Sequence, residues 1–226
     1  MAEMPDTADG RLPRTAKGRA TRARIVEVCA ALMFDHGVAG TSLDDVCAAA
    51  GVGKSQLYHY FADKAALVRA VIARQTEGIL AAQEPYLSGL ETWDAWQDWR
   101  DLVVEMQRQR GCAGGCPIGS LASELADSDE AARCALVAGF ARWEGAFRAG
   151  LTSMQAHGYL RPDADPAALA VATLASVQGG LLLCQTRKDV TPLRVALDAA
   201  IANLRSCAGP ADGTRAAQDA YPAQDD

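Results

Sequence analysis

The chain has 226 residues, half of them apolar, seven cysteines and a formal net charge of −6. That is enough for one long or two small domains with a real core. It excludes several classes: scattered cysteines in odd number do not make a disulfide framework, the acidic start MAEMPDTADG is no signal peptide, and no apolar run is read as approaching the roughly 20 residues that span a bilayer. A cytoplasmic protein is expected.

Strand alternation is absent, and Ala-rich segments of 3.6-residue period dominate, so the fold class is all-α. Residues 1–18 read as a flexible basic arm holding Arg11, Arg14 and Lys17, with Arg19 at its edge. A first helix is predicted over 19–35, with Ile25, Cys29, Leu32 and Met33 on one face and His36-Gly37 as its end. Thr41-Ser42 followed by Asp44 and Asp45 reads as a helix start. Leu43, Val46, Cys47 and Ala50 give that helix one buried stripe, and Gly51-Val52-Gly53 breaks it. A short helix over 54–60 follows, then one capped by Asp63 running to about Gln83. Pro85 and Ser88-Gly89 mark a boundary.

The second half reads as longer helices: about 92–110 with Trp96, Trp99, Val103 and Met106 on one face, and about 129–157 with Leu136, Phe140, Trp143, Phe147, Leu151 and Met154. Between them lies GCAGGCPIGS, with Pro117 near the next helix start. Asp165-Pro166 opens a helix to about Arg187, and Thr191-Pro192 opens the last, ending near Ser206. Residues 207–226 have the composition of a disordered tail.

The charge is unevenly spread. Residues 11–74 hold ten Lys and Arg against five Asp and Glu, whereas residues 75–226 hold twelve against twenty. A basic head on an acidic body suits nucleic-acid binding joined to another task. Within the head stands Gly53-Lys54-Ser55, the tail of a P-loop. A P-loop requires a glycine five residues earlier and a preceding strand; Ala48 occupies that place, on an amphipathic helix. The spacing instead fits a helix-turn-helix, in which the second helix enters the major groove. Val52, Leu57 and Phe61 anchor that helix, leaving Lys54, Ser55, Gln56, Tyr58 and His59 outward. Lys54 suits phosphate or guanine, Gln56 an adenine edge, and Tyr58 a phosphate or a thymine methyl.

Residues 22–72 resemble the N-terminal domain of the TetR family of bacterial transcriptional regulators. The likeness lies in a first helix ending in Gly, then Thr41-Ser42, Ala49-Ala50-Gly51-Val52, Leu57-Tyr58-x-Tyr60-Phe61 and Lys64-x-x-Leu67. The resemblance implies a three-helix helix-turn-helix domain over 19–65. An effector-binding and dimerisation domain, also helical, follows over 66–206. It implies DNA contacts by Thr41, Ser42, Lys54, Ser55, Gln56, Tyr58, His59 and Lys64, with Lys64 and its helix dipole meeting phosphate. One recognition helix reads one half-site, so a homodimer on a palindromic operator is expected. The last two helices are its expected interface, through Leu174, Val177, Leu181, Leu197, Ile201 and Leu204.

All four tryptophans lie in residues 93–143. Large aromatics and Met suit an adaptable apolar cavity, although stripes of this kind also build ordinary core. The expected effector set is Trp96, Trp99, Met106, Leu121, Phe140, Trp143, Phe147 and Gln178. Gly115-Cys116-Pro117-x-Gly119-Ser120-Leu121 resembles the LmrA/YxaF-like branch of the family, which implies an aromatic or multidrug-type effector. The function expected is a repressor released by a small apolar or aromatic molecule. The alternative is a thiol sensor using Cys112 and Cys116, joined by a flexible Ala-Gly-Gly. His36, His59 and His157, the three histidines, have no Ser or acid arranged beside them. No enzyme, cofactor or metal is expected.

Overall fold

The structure, a computed structural model, describes residues 13–210. Arg11 and the tail beyond 210 lie outside the described residues. The described chain is helical, and an isolated bridge between Leu160 and Ala208 is its one β feature. In order come α1 (Ala16–His36), α2 (Leu43–Ala50), α3 (Lys54–Tyr60), α4 (Lys64–Ala81), a 3-10 turn at Leu87–Gly89, α5 (Trp93–Gln109), α6 (Pro117–Leu125), α7 (Glu130–Ala156), α8 (Pro166–Arg187) and α9 (Thr191–Arg205).

Capping chemistry sets most boundaries. Ser42, Thr92 and Asp165 each accept a backbone N–H at the start of α2, α5 and α8. Asp63 Oδ1 accepts from Ala66 N at 2.7 Å at the start of α4. Thr15 does the same for α1, which therefore begins at Ala16 rather than at Arg19. Lys17, read as part of the arm, is helical. Gly51 closes α2 in the left-handed region at φ 62°.

Two compact units form. The first holds the described residues up to Ile79 together with Pro117–Phe140, and the second holds Leu80–Cys116 with Ala141 onward. The core of the first includes Ile25, Val46, Leu57, Phe61, Leu67 and Ile72, all nearly free of solvent. Burying each such side chain contributes about 2 kcal/mol. The core of the second is built on Trp96, Trp99, Phe147, Leu151 and Met154.

In the second unit α8 packs along α9. Gly180 permits the close approach: a Cβ there would stand 3.0 Å from Leu193 Cα. Leu174, Val177, Leu181, Leu197, Ile201 and Leu204 are all buried within the protomer. They lie on the two helices that pack along each other in the second unit. What α8 and α9 leave outward is a different apolar stripe, carrying exposed Val171, Leu182, Leu183 and Val195. One correction concerns α8. At 22 residues it is long and apolar enough to cross a membrane by length and composition. Its alanines and glycines disguise that property in the sequence, and in the fold eight of its residues are buried.

Candidate nucleic-acid interface

The site grows from α2 and α3, which pack against each other across the Gly51 turn. Leu57 is fully buried and Tyr60 nearly so, and Phe61 at the C-cap is fully buried. With that edge fixed, Lys54, Ser55, Gln56, Tyr58 and His59 are all exposed. Tyr58 keeps 53% of its surface free. His59 meets the Tyr60 ring edge-on, with centroids 5.1 Å apart. The five polar side chains thus share the outward side of one seven-residue helix.

Lys54 is not idle in the free protein. Its Nζ lies 2.8 Å from Asp44 Oδ1 on α2, with both side chains well exposed. The hydrogen bond to Asp44, more than the charge alone, holds the Lys54 ammonium above its ordinary pKa. Ser42 is exposed but also engaged: its Oγ accepts from Asp45 N at 3.1 Å and donates to Asp45 Oδ2 at 2.6 Å. The Asp45 carboxylate accepts the Ser42 amide in return, a capping box. These bonds hold the Asp45 carboxyl below the ordinary value of 3.8.

Thr41 departs from the expected surface position. It is buried, and its hydroxyl donates to Gly37 O at 2.8 Å, tying off the end of α1. Lys64 is half-buried and its Nζ donates to Val38 O at 2.7 Å. The other side of that peptide is held too, because Val38 N donates to Glu124 Oε2 at 2.7 Å. Glu124 belongs to α6 and lies 86 positions further along the chain, a separation at which no sequence pattern signals contact. Arg22 was missed for the same reason: its guanidinium stacks over the Phe61 ring at 4.9 Å and backs the end of α3.

The chain matches a model of the bacterial regulatory proteins of the tetR family over residues 25–71. It also matches a model of the C-terminal domain of LmrA/YxaF-like transcriptional regulators over residues 92–199. The chain belongs to the TetR family. Relatives include an HTH-type transcriptional regulator from the lacX 3′ region of Lactococcus lactis subsp. lactis, 29% identical, with 80% of this chain and 91% of that one aligned. The HTH-type transcriptional repressor DhaR of Mycobacterium sp. strain GP1 is 27% identical over 76% of this chain and 86% of its own. A TetR transcriptional regulator from Chloroflexus aurantiacus superimposes with a TM-score of 0.73 at 26% identity, covering 86% of this chain and 99% of that one. TetR-family membership makes this protein a transcriptional regulator, of a family that binds operator DNA and acts as dimers.

The residues expected to hold an effector divide between the units of this TetR protein. Leu121 and Phe140 belong to the first; Trp96, Trp99, Met106, Trp143, Phe147 and Gln178 belong to the second. In the second unit the rings meet one another. Phe147 lies 5.0 Å from Trp99, 5.7 Å from Trp96 and 6.3 Å from Trp143, centroid to centroid. Trp96 Nε1 donates to Met154 Sδ at 3.2 Å and Trp99 Nε1 to Gln83 Oε1 at 2.9 Å. Trp143 Nε1 and Gln178 Nε2 are buried and have no partner among the described residues. Leaving such a donor unsatisfied costs about 1–3 kcal/mol.

Proposed function

We propose that this chain is a ligand-responsive transcriptional repressor of the cytoplasm. It binds a palindromic operator as a homodimer and leaves it when a small aromatic effector binds. The observation that carries the reading is α3, whose apolar residues are buried while Lys54, Ser55, Gln56, Tyr58 and His59 are exposed together. On DNA, Gln56 and Tyr58 read base edges, and Lys54 exchanges Asp44 for phosphate. Ser42 and Lys64 contact the phosphate backbone, and Thr41 supports the turn beneath them.

The exposed stripe of α8 and α9 supports the dimer. Gly179 has open space where a side chain would be, and the same two helices carry exposed apolar Val171, Leu182, Leu183 and Val195. Trp143 Nε1 and Gln178 Nε2 support an effector that brings hydrogen-bond acceptors as well as a ring. Such a ligand gains the cost those two donors now carry. Its leverage on DNA is its difference in affinity between the bound and released arrangements of the two heads.

The test is selection of genomic DNA fragments by the full-length protein, followed by anisotropy titration on the recovered site. A two-fold symmetric site bound by two chains is expected, with release by an aromatic acceptor-bearing compound. No preference over random duplex at moderate ionic strength overturns the repressor reading.

A further inference from the structure

Two acids stand side by side in the first turn of α2, and the fold uses them differently. Asp45 is spent on the local cap: its Oδ2 accepts the Ser42 amide at 3.0 Å and the Ser42 hydroxyl at 2.6 Å. Asp44 reaches the other way. Its Oδ1 lies 2.8 Å from Lys54 Nζ, across the Gly51 turn, with the two side chains 68% and 65% exposed. Lys54 is the first residue of α3. In a helix-turn-helix the second helix enters the major groove with its N-terminal residues on the base edges. Asp44 therefore stands at the end of α3 that approaches the bases, although it belongs to the other helix. A carboxylate in a first turn also favours the helix dipole, a use that needs neither Lys54 nor DNA.

An ion pair this exposed is weak and yields to competition. Once Lys54 turns to a phosphate, Asp44 is left without its cation between two phosphate backbones. A carboxylate accepts hydrogen bonds and donates none. In the major groove the keto oxygens and the purine N7 atoms repel it, and the amino groups of cytosine and adenine satisfy it. Cytosine suits it better. The amino group of adenine stands beside the N7 acceptor, which faces the second carboxylate oxygen, whereas cytosine has no acceptor at that edge.

We infer that Asp44 is a specificity-determining residue, accepting from the N4 amino group of one cytosine in each operator half-site. The inference rests on the repressor reading above. In the free protein Lys54 neutralises the carboxylate. On DNA the pair opens, and the lost bond is replaced in full only over a base that donates. Over a guanine the charge is left unpaired against an acceptor, so that sequence is refused as well as not favoured.

The test selects duplexes of random sequence with full-length wild type, Asp44→Asn and Asp44→Ala, and then titrates the recovered site and its single-base changes by anisotropy. Wild type is expected to recover a two-fold symmetric site with one cytosine per half-site whose exchange for guanine weakens binding about tenfold. Asp44→Asn moves the preference at that position from cytosine to adenine, because a side-chain amide matches the N6 and N7 edge of adenine. Asp44→Ala leaves the position without preference, and the rest of the site is unchanged in both variants. An acid that served only the helix dipole would give lower melting temperatures in both variants and the wild-type base preference at every position. That result overturns the inference and leaves the repressor reading standing. Failure of the wild type to select any site overturns both.

Discussion

Gln56 and Lys54 stand two positions apart on α3, both exposed, and differ in what they can distinguish. A side-chain amide matches the paired donor and acceptor of adenine, whereas an ammonium is a point charge to any phosphate. Gln56→Ala is expected to cost about 1–3 kcal/mol on the selected operator and to relax preference at one base pair. Lys54→Ala should weaken all duplexes alike and lower the salt slope by about one. Anisotropy titrations at several salt concentrations on cognate and mismatched duplexes separate the two.

Ser42→Ala removes a helix cap and should cost about 1 kcal/mol of stability. It also removes the hydroxyl bond, the larger cause of the Asp45 depression, while the amide of residue 42 keeps its own bond to that carboxylate. A carboxyl whose folded pKa is depressed contributes above its unfolded value, near 3.8 here, and loses that contribution as pH falls through the folded one. Thermal melts should therefore show the gap between wild type and Ser42→Ala at neutral pH and its narrowing below about pH 4. The cap was legible in advance, because Ser followed three residues later by an acid has one local use. The burial of Thr41 was not, since two adjacent hydroxyls look alike until the end of α1 is placed.

Among the elements, α8 and α9 separate two roles that hydrophobicity alone merges. Their helical extent was readable from Asp165-Pro166 and Thr191-Pro192. Their outward face was not, because the period that marks a stripe does not say what covers it, and Val171, Leu182, Leu183 and Val195 are the large apolar residues left exposed. Leu197→Ala is expected to lower stability by about 2–5 kcal/mol through a cavity. Leu183→Glu, at a side chain 44% exposed, should leave the monomer's melt nearly unchanged and shift the protein from dimer to monomer in light scattering. The aromatic cluster shows the same limit. Trp96, Trp99 and Phe147 were visible as a stripe, but that they would fill one another's surroundings, with Trp143 Nε1 and Gln178 Nε2 left over, depends on pairings between helices distant in sequence.

At the scale of the whole molecule, the two family matches and the two compact units divide the chain differently. Helix α6 falls in the C-terminal match yet sits in the unit that holds α2 and α3. Glu124 is its reach into the head, through the Val38 peptide to which Lys64 is also bonded. Glu124→Gln replaces a charge-assisted bond by a neutral one, about half as strong. Exchange of the Val38 amide proton is expected to quicken severalfold in that variant, with a severalfold loss of operator affinity and no change in the melting of the second unit. Unaltered exchange at Val38 would show that the bond does not hold this turn.

That clamp grips main-chain atoms, so the residue at its centre is chemically anonymous. Exchanging valine for isoleucine or alanine leaves both amide and carbonyl in place, so a scan that shortens side chains one at a time reads at position 38 only the loss of a buried side chain. The link between α6 and the start of α4 would then go unnoticed in any such survey, and only its two charged ends, Glu124 and Lys64, would betray it.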